Sequence, residues 1–170
     1  MHPVIPVLQL LNALVRVEGR KKMQKTVHIL RELGAPFQER FEYSHYGMYS
    51  AQLKGELDAL EREGLVTETQ PVETNTFIIE ATPKVGELLT EVGLAEPPPW
   101  VEVARRLNAL PAQVLEGIST ILFLRRTEDD DLVIRTKLLT LKPHLAPFTE
   151  TCFNEADSLP FLCIRVANPA

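Results

Sequence analysis

A chain of 170 residues, 45% hydrophobic and 24% charged, can bury a core of its own. It fits one domain, or one small domain with a helical extension. Its net charge of -5 excludes a protein that coats nucleic acid by overall basicity and leaves room for a local basic patch.

The spacing of Val4, Val7, Leu8, Leu11, Leu14 and Val15 predicts a first helix over residues 4–17. Ile5, Leu10 and Val17 widen its apolar face toward the C-terminal half or a dimer partner. No basic region precedes it, and Pro6, Gln9 and Asn12 interrupt it. It therefore reads as a core helix, not a signal peptide or membrane span, and a cytoplasmic location is expected. A second helix is predicted over 20–33, with Met23, Val27, Leu30 and Leu33 as its inner stripe. Arg20, Lys21, Lys22 and Lys25 crowd its start, and Gly34 and Pro36 end it. Phe41 and Tyr43 alternate about Glu42 as a short strand. His45, Tyr46, Gly47, Met48 and Tyr49 then read as an aromatic turn, and Ser50 as the N-cap of a third helix over 51–63. Leu53, Leu57 and Leu60 face inward from it.

Residues 65–69 and 76–81 read as two strands, and the loop 70–75 between them is the candidate wing. Thr82 as cap and Pro83 as first helical residue open a helix that buries Val85, Leu88, Leu89 and Val92. Pro97, Pro98 and Pro99 mark a stiff connector. Helices are predicted beyond it over 100–109, 112–126, 132–142 and 147–158, the last carrying Phe148, Cys152 and Phe153. The apolar tail Phe161, Leu162, Cys163 and Ile164 is expected to pack on the core or on a partner chain.

The expected fold class is mainly α with a small β-hairpin wing. Residues 1–95 form a winged helix-turn-helix, and 96–170 form a helical region that packs on it or makes a dimer interface.

Several residues carry a family resemblance. Met23, Gln24 and Lys25 lie on the second helix ahead of Val27, Ile29 and Leu30, and Tyr46, Gly47, Met48, Tyr49 and Ser50 make the turn. Leu57, Leu60, Gly64, Leu65 and Val66 close the third helix, and Phe123, Leu124, Lys142 and Pro143 follow in the C-terminal half. The pattern resembles the YwgA-like family of small bacterial and archaeal proteins. It is more distantly similar to Panacea domains, which carry a proline where this chain has Met48. The resemblance implies a winged-helix fold and, through the Panacea-type relatives, an antitoxin or adaptor role.

Two functional readings follow. A non-enzymatic DNA-binding regulator would contact its target through Arg20, Lys21, Lys22, Lys25, His45, Tyr49, Ser50, Gln52 and Lys54. These are cations and polar groups that reach phosphates and base edges. Positive charge at a helix start opposes the helix dipole, so a bound phosphate is one compensation and a solvated face the other. The rival is a protein-interaction module. The second half of the third helix is acidic, with Glu56, Asp58, Glu61 and Glu63 against Arg62, and the wing carries Glu73 and no cation. A homodimer is expected, and no membrane contact.

No nucleophile motif, glycine-rich nucleotide loop or metal-ligand spacing frames a catalytic centre, so no enzyme activity, cofactor or metal is expected. The run Glu128, Asp129, Asp130, Asp131 lacks the calcium-loop pattern and reads as acidic residues at a helix start. Cys152 and Cys163 read as buried, reduced thiols.

Overall fold

In the computed structural model, which describes residues 2–162, the first helix, α1 (Ile5–Leu14), ends three residues earlier than its periodicity suggests. It stops because Val15 turns to φ 62°, a conformation sterically costly for a β-branched residue. Val15 is 62% exposed rather than part of the buried stripe. The chain then extends as β1 (Arg16–Glu18), which hides Val17 and pairs with a strand some sixty residues away, Val17 opposite Ile79. Helical spacing in the sequence cannot reveal that pairing.

Next come α2 (Arg20–Glu32), β2 (Glu42–Ser44), β3 (Gly47–Tyr49), α3 (Ala51–Arg62), β4 (Val66–Thr69) and β5 (Ile78–Ala81). The antiparallel sheet has the order β1-β5-β4. The expected aromatic turn is a separate hairpin instead: β2 pairs with β3, Tyr43 opposite Met48, and only His45 and Tyr46 form the tip. Ser44 locks it, its hydroxyl donating to the Gly47 carbonyl and accepting from the Tyr46 N–H. Ser50 caps α3, its Oγ accepting from the Leu53 N–H at 3.1 Å.

The C-terminal helices are α4 (Pro83–Glu91), α5 (Val101–Ala109), α6 (Ala112–Leu124), α7 (Asp131–Leu141) and α8 (Thr149–Ser158), with a 3₁₀ segment at Pro143–Phe148 where a longer last helix was expected. Thr82 does not cap α4; its hydroxyl donates to the Gly64 carbonyl, tying α4 back to the end of α3. Val92 is half exposed, outside the buried face expected for it. Asp130 caps α7 by accepting from the Leu132 N–H at 2.8 Å, which gives the acidic run a structural role.

Residues 22–30 of α2 are buried without a gap. The expected one-sided helix with a solvated basic face is therefore enclosed, because α6 packs along it on one side and α5 and β3 on others. Where α6 meets α8, a Cβ at Gly117 would overlap Cys152 Sγ, so only glycine allows that approach. Of the tail, Leu162 donates its N–H to the Leu33 carbonyl, while Phe161 is exposed. Cys163 and Ile164 lie outside the described residues.

Candidate functional site

The structure disperses the basic cluster. Arg20 sits at the N-terminus of α2, where its guanidinium grips Glu68 on β4 through Nε and Nη2 at 2.8–3.1 Å and Asp58 on α3 through Nη1. The Glu68 hydrogen bond holds it above the ordinary arginine range against the cost of its burial. It pins three elements together and offers no free fork to a phosphate. Lys22 is buried, which lowers its ammonium's pKa despite Glu18 nearby. Lys25 is 6% exposed, and burial pushes it down to about 8. Ser50 is wholly buried and spent on its cap. Lys21, His45, Gln52 and Lys54 remain exposed, and Tyr49 is half-buried. Even there Gln52 donates to Glu56, and Lys54 pairs with Asp58 at 2.7 Å. That pairing, with Arg20, holds the Asp58 carboxyl down to about 2.

The buried pair Gln24–Lys25 builds the hairpin's seat. Gln24 meets the Ser50 backbone as a strand neighbour would, donating from Nε2 to its carbonyl at 2.9 Å and accepting its N–H at Oε1 at 2.8 Å. Lys25 Nζ donates to the carbonyls of Tyr46 at 3.0 Å and Met48 at 2.6 Å. Gln24 and Lys25 thus position the tip and the start of α3. Gly47, at φ 80°, faces the same lysine; a Cβ there would stand 3.4 Å from Lys25 Nζ and 3.5 Å from Lys142 Nζ.

Two clefts open on either side of Tyr46. One, of about 220 Å³, is mainly apolar and lies between α2, the tip and α3; Arg20, Lys21, Lys25, Tyr49 and Lys54 line it with Leu57. The other, of about 420 Å³, lies between the tip, the start of α6 and the segment after α7, lined by Lys21, Lys25, His45, Glu116, Lys142 and His144 among others. Sequence reasoning selects Lys21, Lys25 and His45 here and misses Gln24, Glu116, Lys142 and His144. Their separation along the chain hides them. Lys142 is buried and bonds Glu116 Oε1 at 2.9 Å, and His144 Nε2 lies 3.2 Å from Glu116 Oε2. Burial would raise the Glu116 carboxyl, but these partners outweigh it and hold it below its ordinary value. Lys21 Nζ stands 5.5 Å over the Tyr46 ring at the mouth.

A serine, a histidine and a carboxylate also line up inside the protein. Ser119 Oγ is 2.7 Å from His28 Nδ1, and His28 Nε2 is 3.7 Å from Glu32. Ser119 and His28 are fully buried, Glu32 is held by Arg126, and burial pushes His28 down to about 3. A neutral, fully buried imidazole against a buried hydroxyl is a core contact between α2 and α6. Glu39 is buried beside Glu56, and burial followed by repulsion from Glu56 pushes it up to about 7. Both Glu39 carboxyl oxygens are buried without a hydrogen-bond partner, so burial and the neighbouring carboxylate favour its neutral form. Burial pushes the Cys152 thiol up to about 11, so it stays protonated and unreactive.

Among the described residues no group of three or more His, Cys, Asp or Glu could hold a metal ion, and no helix is long and apolar enough to cross a membrane. No family model matches the chain, and no solved structure matches it significantly. A curated relative does: the chain is 28% identical over 131 residues, 73% of this chain and 74% of the relative, to the uncharacterized protein YwgA of Bacillus subtilis (strain 168), a likeness that supports the YwgA-like resemblance.

Proposed function

We propose that residues 5–81 form a winged helix that acts as a protein-interaction module, of adaptor or antitoxin-like type, rather than as a DNA reader. The element order α1-β1-α2-α3-β4-β5 and the sheet order β1-β5-β4 support the winged helix. The observation that carries the function is the charge of its outward surface. α3 and its C-cap present Glu56, Asp58, Glu61 and Glu63 against Lys54 and Arg62, and no Lys or Arg occurs between Leu65 and Ala81. A phosphate backbone is repelled by that surface. The wing loop instead exposes Val72 completely and Phe77 by half, an apolar pair suited to docking on protein.

The test pairs two measurements. Fluorescence anisotropy with mixed-sequence duplex DNA should show no binding even at about 50 mM salt, where phosphate contacts are strongest. A photo-crosslinking residue at Val72 should trap a discrete protein complex in native cells that Phe77→Asp abolishes while the fold persists. Sedimentation separates a homodimer, the other expected partner, from a hetero-complex. Salt-sensitive DNA binding would establish the second reading, a DNA-binding regulator. That reading is favoured by the exposed Gln52 and Lys54 on the first turns of α3, close to Tyr49.

A further inference from the structure

We propose that the cleft between the hairpin tip, the start of α6 and the segment after α7 binds a small molecule through its phosphate group, seated among Lys21, Lys25, Lys142 and His144. The argument begins with charge. Three lysines reach this cleft from α2 and from the end of α7, and one carboxylate, Glu116, answers them. Lys25 and Lys142 are each 6% exposed and flank the same glycine, Gly47. Like charges gathered out of water are costly unless an anion joins them.

Donors also remain unspent. An ammonium has three N–H groups; Lys25 spends two on the Tyr46 and Met48 carbonyls, and Lys142 spends one on Glu116. The remaining donors belong to side chains that line the cavity. α6, of 13 residues, begins there: Ala112 and Gln113 line the cleft, and Pro111 before them supplies no side-chain cap. The positive end of that helix adds to the same field.

The chemistry favours phosphate over carboxylate. Compact ammonium groups suit a phosphate as point charges, and among the residues lining the cleft there is no arginine fork to read a planar carboxylate. Three lysines against one glutamate leave an excess that matches a dianion. A volume of about 420 Å³ accommodates a small phosphorylated molecule. The site requires neither a protein partner nor DNA, so it stands or falls apart from the interaction module.

Calorimetric titration of the full chain with inorganic phosphate and with pyrophosphate, at an ionic strength held constant with chloride, tests it. Saturable binding is expected, weakened about tenfold in Lys21→Gln and in His144→Gln, each of which removes one charge-assisted hydrogen bond. Both side chains are exposed, so the variants keep the fold, checked by circular dichroism. Phosphate that binds no better than chloride, or binds the two variants as tightly as the unmodified chain, overturns the proposal. A short DNA duplex that displaces pyrophosphate competitively would assign the phosphate to a nucleic-acid backbone and overturn the small-molecule site as well.

Discussion

The outer face of α3 and the cleft beside α6 divide the charge of this protein between them. The first is acidic, with Lys54 and the neighbouring Arg20 already paired to Asp58 and Glu68 and only Arg62 set against the remaining carboxylates. The second is basic, with Lys21, Lys25 and Lys142 around one glutamate. Both draw on the start of α2. One turn of helix sends Arg20 toward α3 and β4, Lys22 toward Glu18, and Lys21 and Lys25, four residues apart, to the same cleft. A cluster in sequence is therefore not a patch in space.

The comparison can be broken most severely at Lys25. Lys25→Glu places a buried carboxylate against the carbonyls of Tyr46 and Met48. It should cost more than about 4 kcal/mol, seen as loss of the cooperative unfolding transition. For that reason, charge reversal across Lys21, Lys22 and Lys25 together reports folding and not binding. Gln24→Leu keeps the volume but leaves the Ser50 N–H and carbonyl without partners. A loss of about 2 kcal/mol is expected in urea denaturation, with faster hydrogen exchange at Ser50.

Glu39→Gln sharpens the contrast from the acidic side. Glu39 titrates near 7 in the folded chain, above its ordinary carboxylate value. The folded state therefore keeps a proton that the unfolded chain has lost. The stability that Glu39 contributes is complete below the ordinary carboxylate pKa and is lost as pH rises through about 7. The amide carries no charge at any pH and removes that slope. The variant should match the unmodified chain near pH 4 and exceed it by on the order of 2 kcal/mol near pH 8, in urea melts at both pH values. The smallest effect belongs to Arg20→Gln. The guanidinium and its Asp58 partner are about a third exposed, though Glu68 is less so, so thermal unfolding should register about 1 kcal/mol.

Much of the framework was legible in the sequence. The α2 and α3 spans, the Ser50 cap, the loop 70–75 and the proline connector followed from local periodicity, capping chemistry and turn residues. Three of the cleft's residues, Lys21, Lys25 and His45, were also legible as charge near an aromatic turn. Glu116, Lys142 and His144 were not, because their proximity to α2 comes from packing of helices distant in the chain. β1 was hidden for the same reason: three residues after a helix carry no strand signal until β5 supplies hydrogen-bonding partners.

By itself, then, the sequence determined where most helices lie, the Ser50 cap, and that the loop 70–75 carries no cation, since these depend on neighbours within a few residues. Tertiary structure decided which lysines meet water, which arginine is neutralised, that Ser119 and His28 meet in the core, and that a basic cleft exists. Burial and charge pairing arise between segments that only the packed chain brings together.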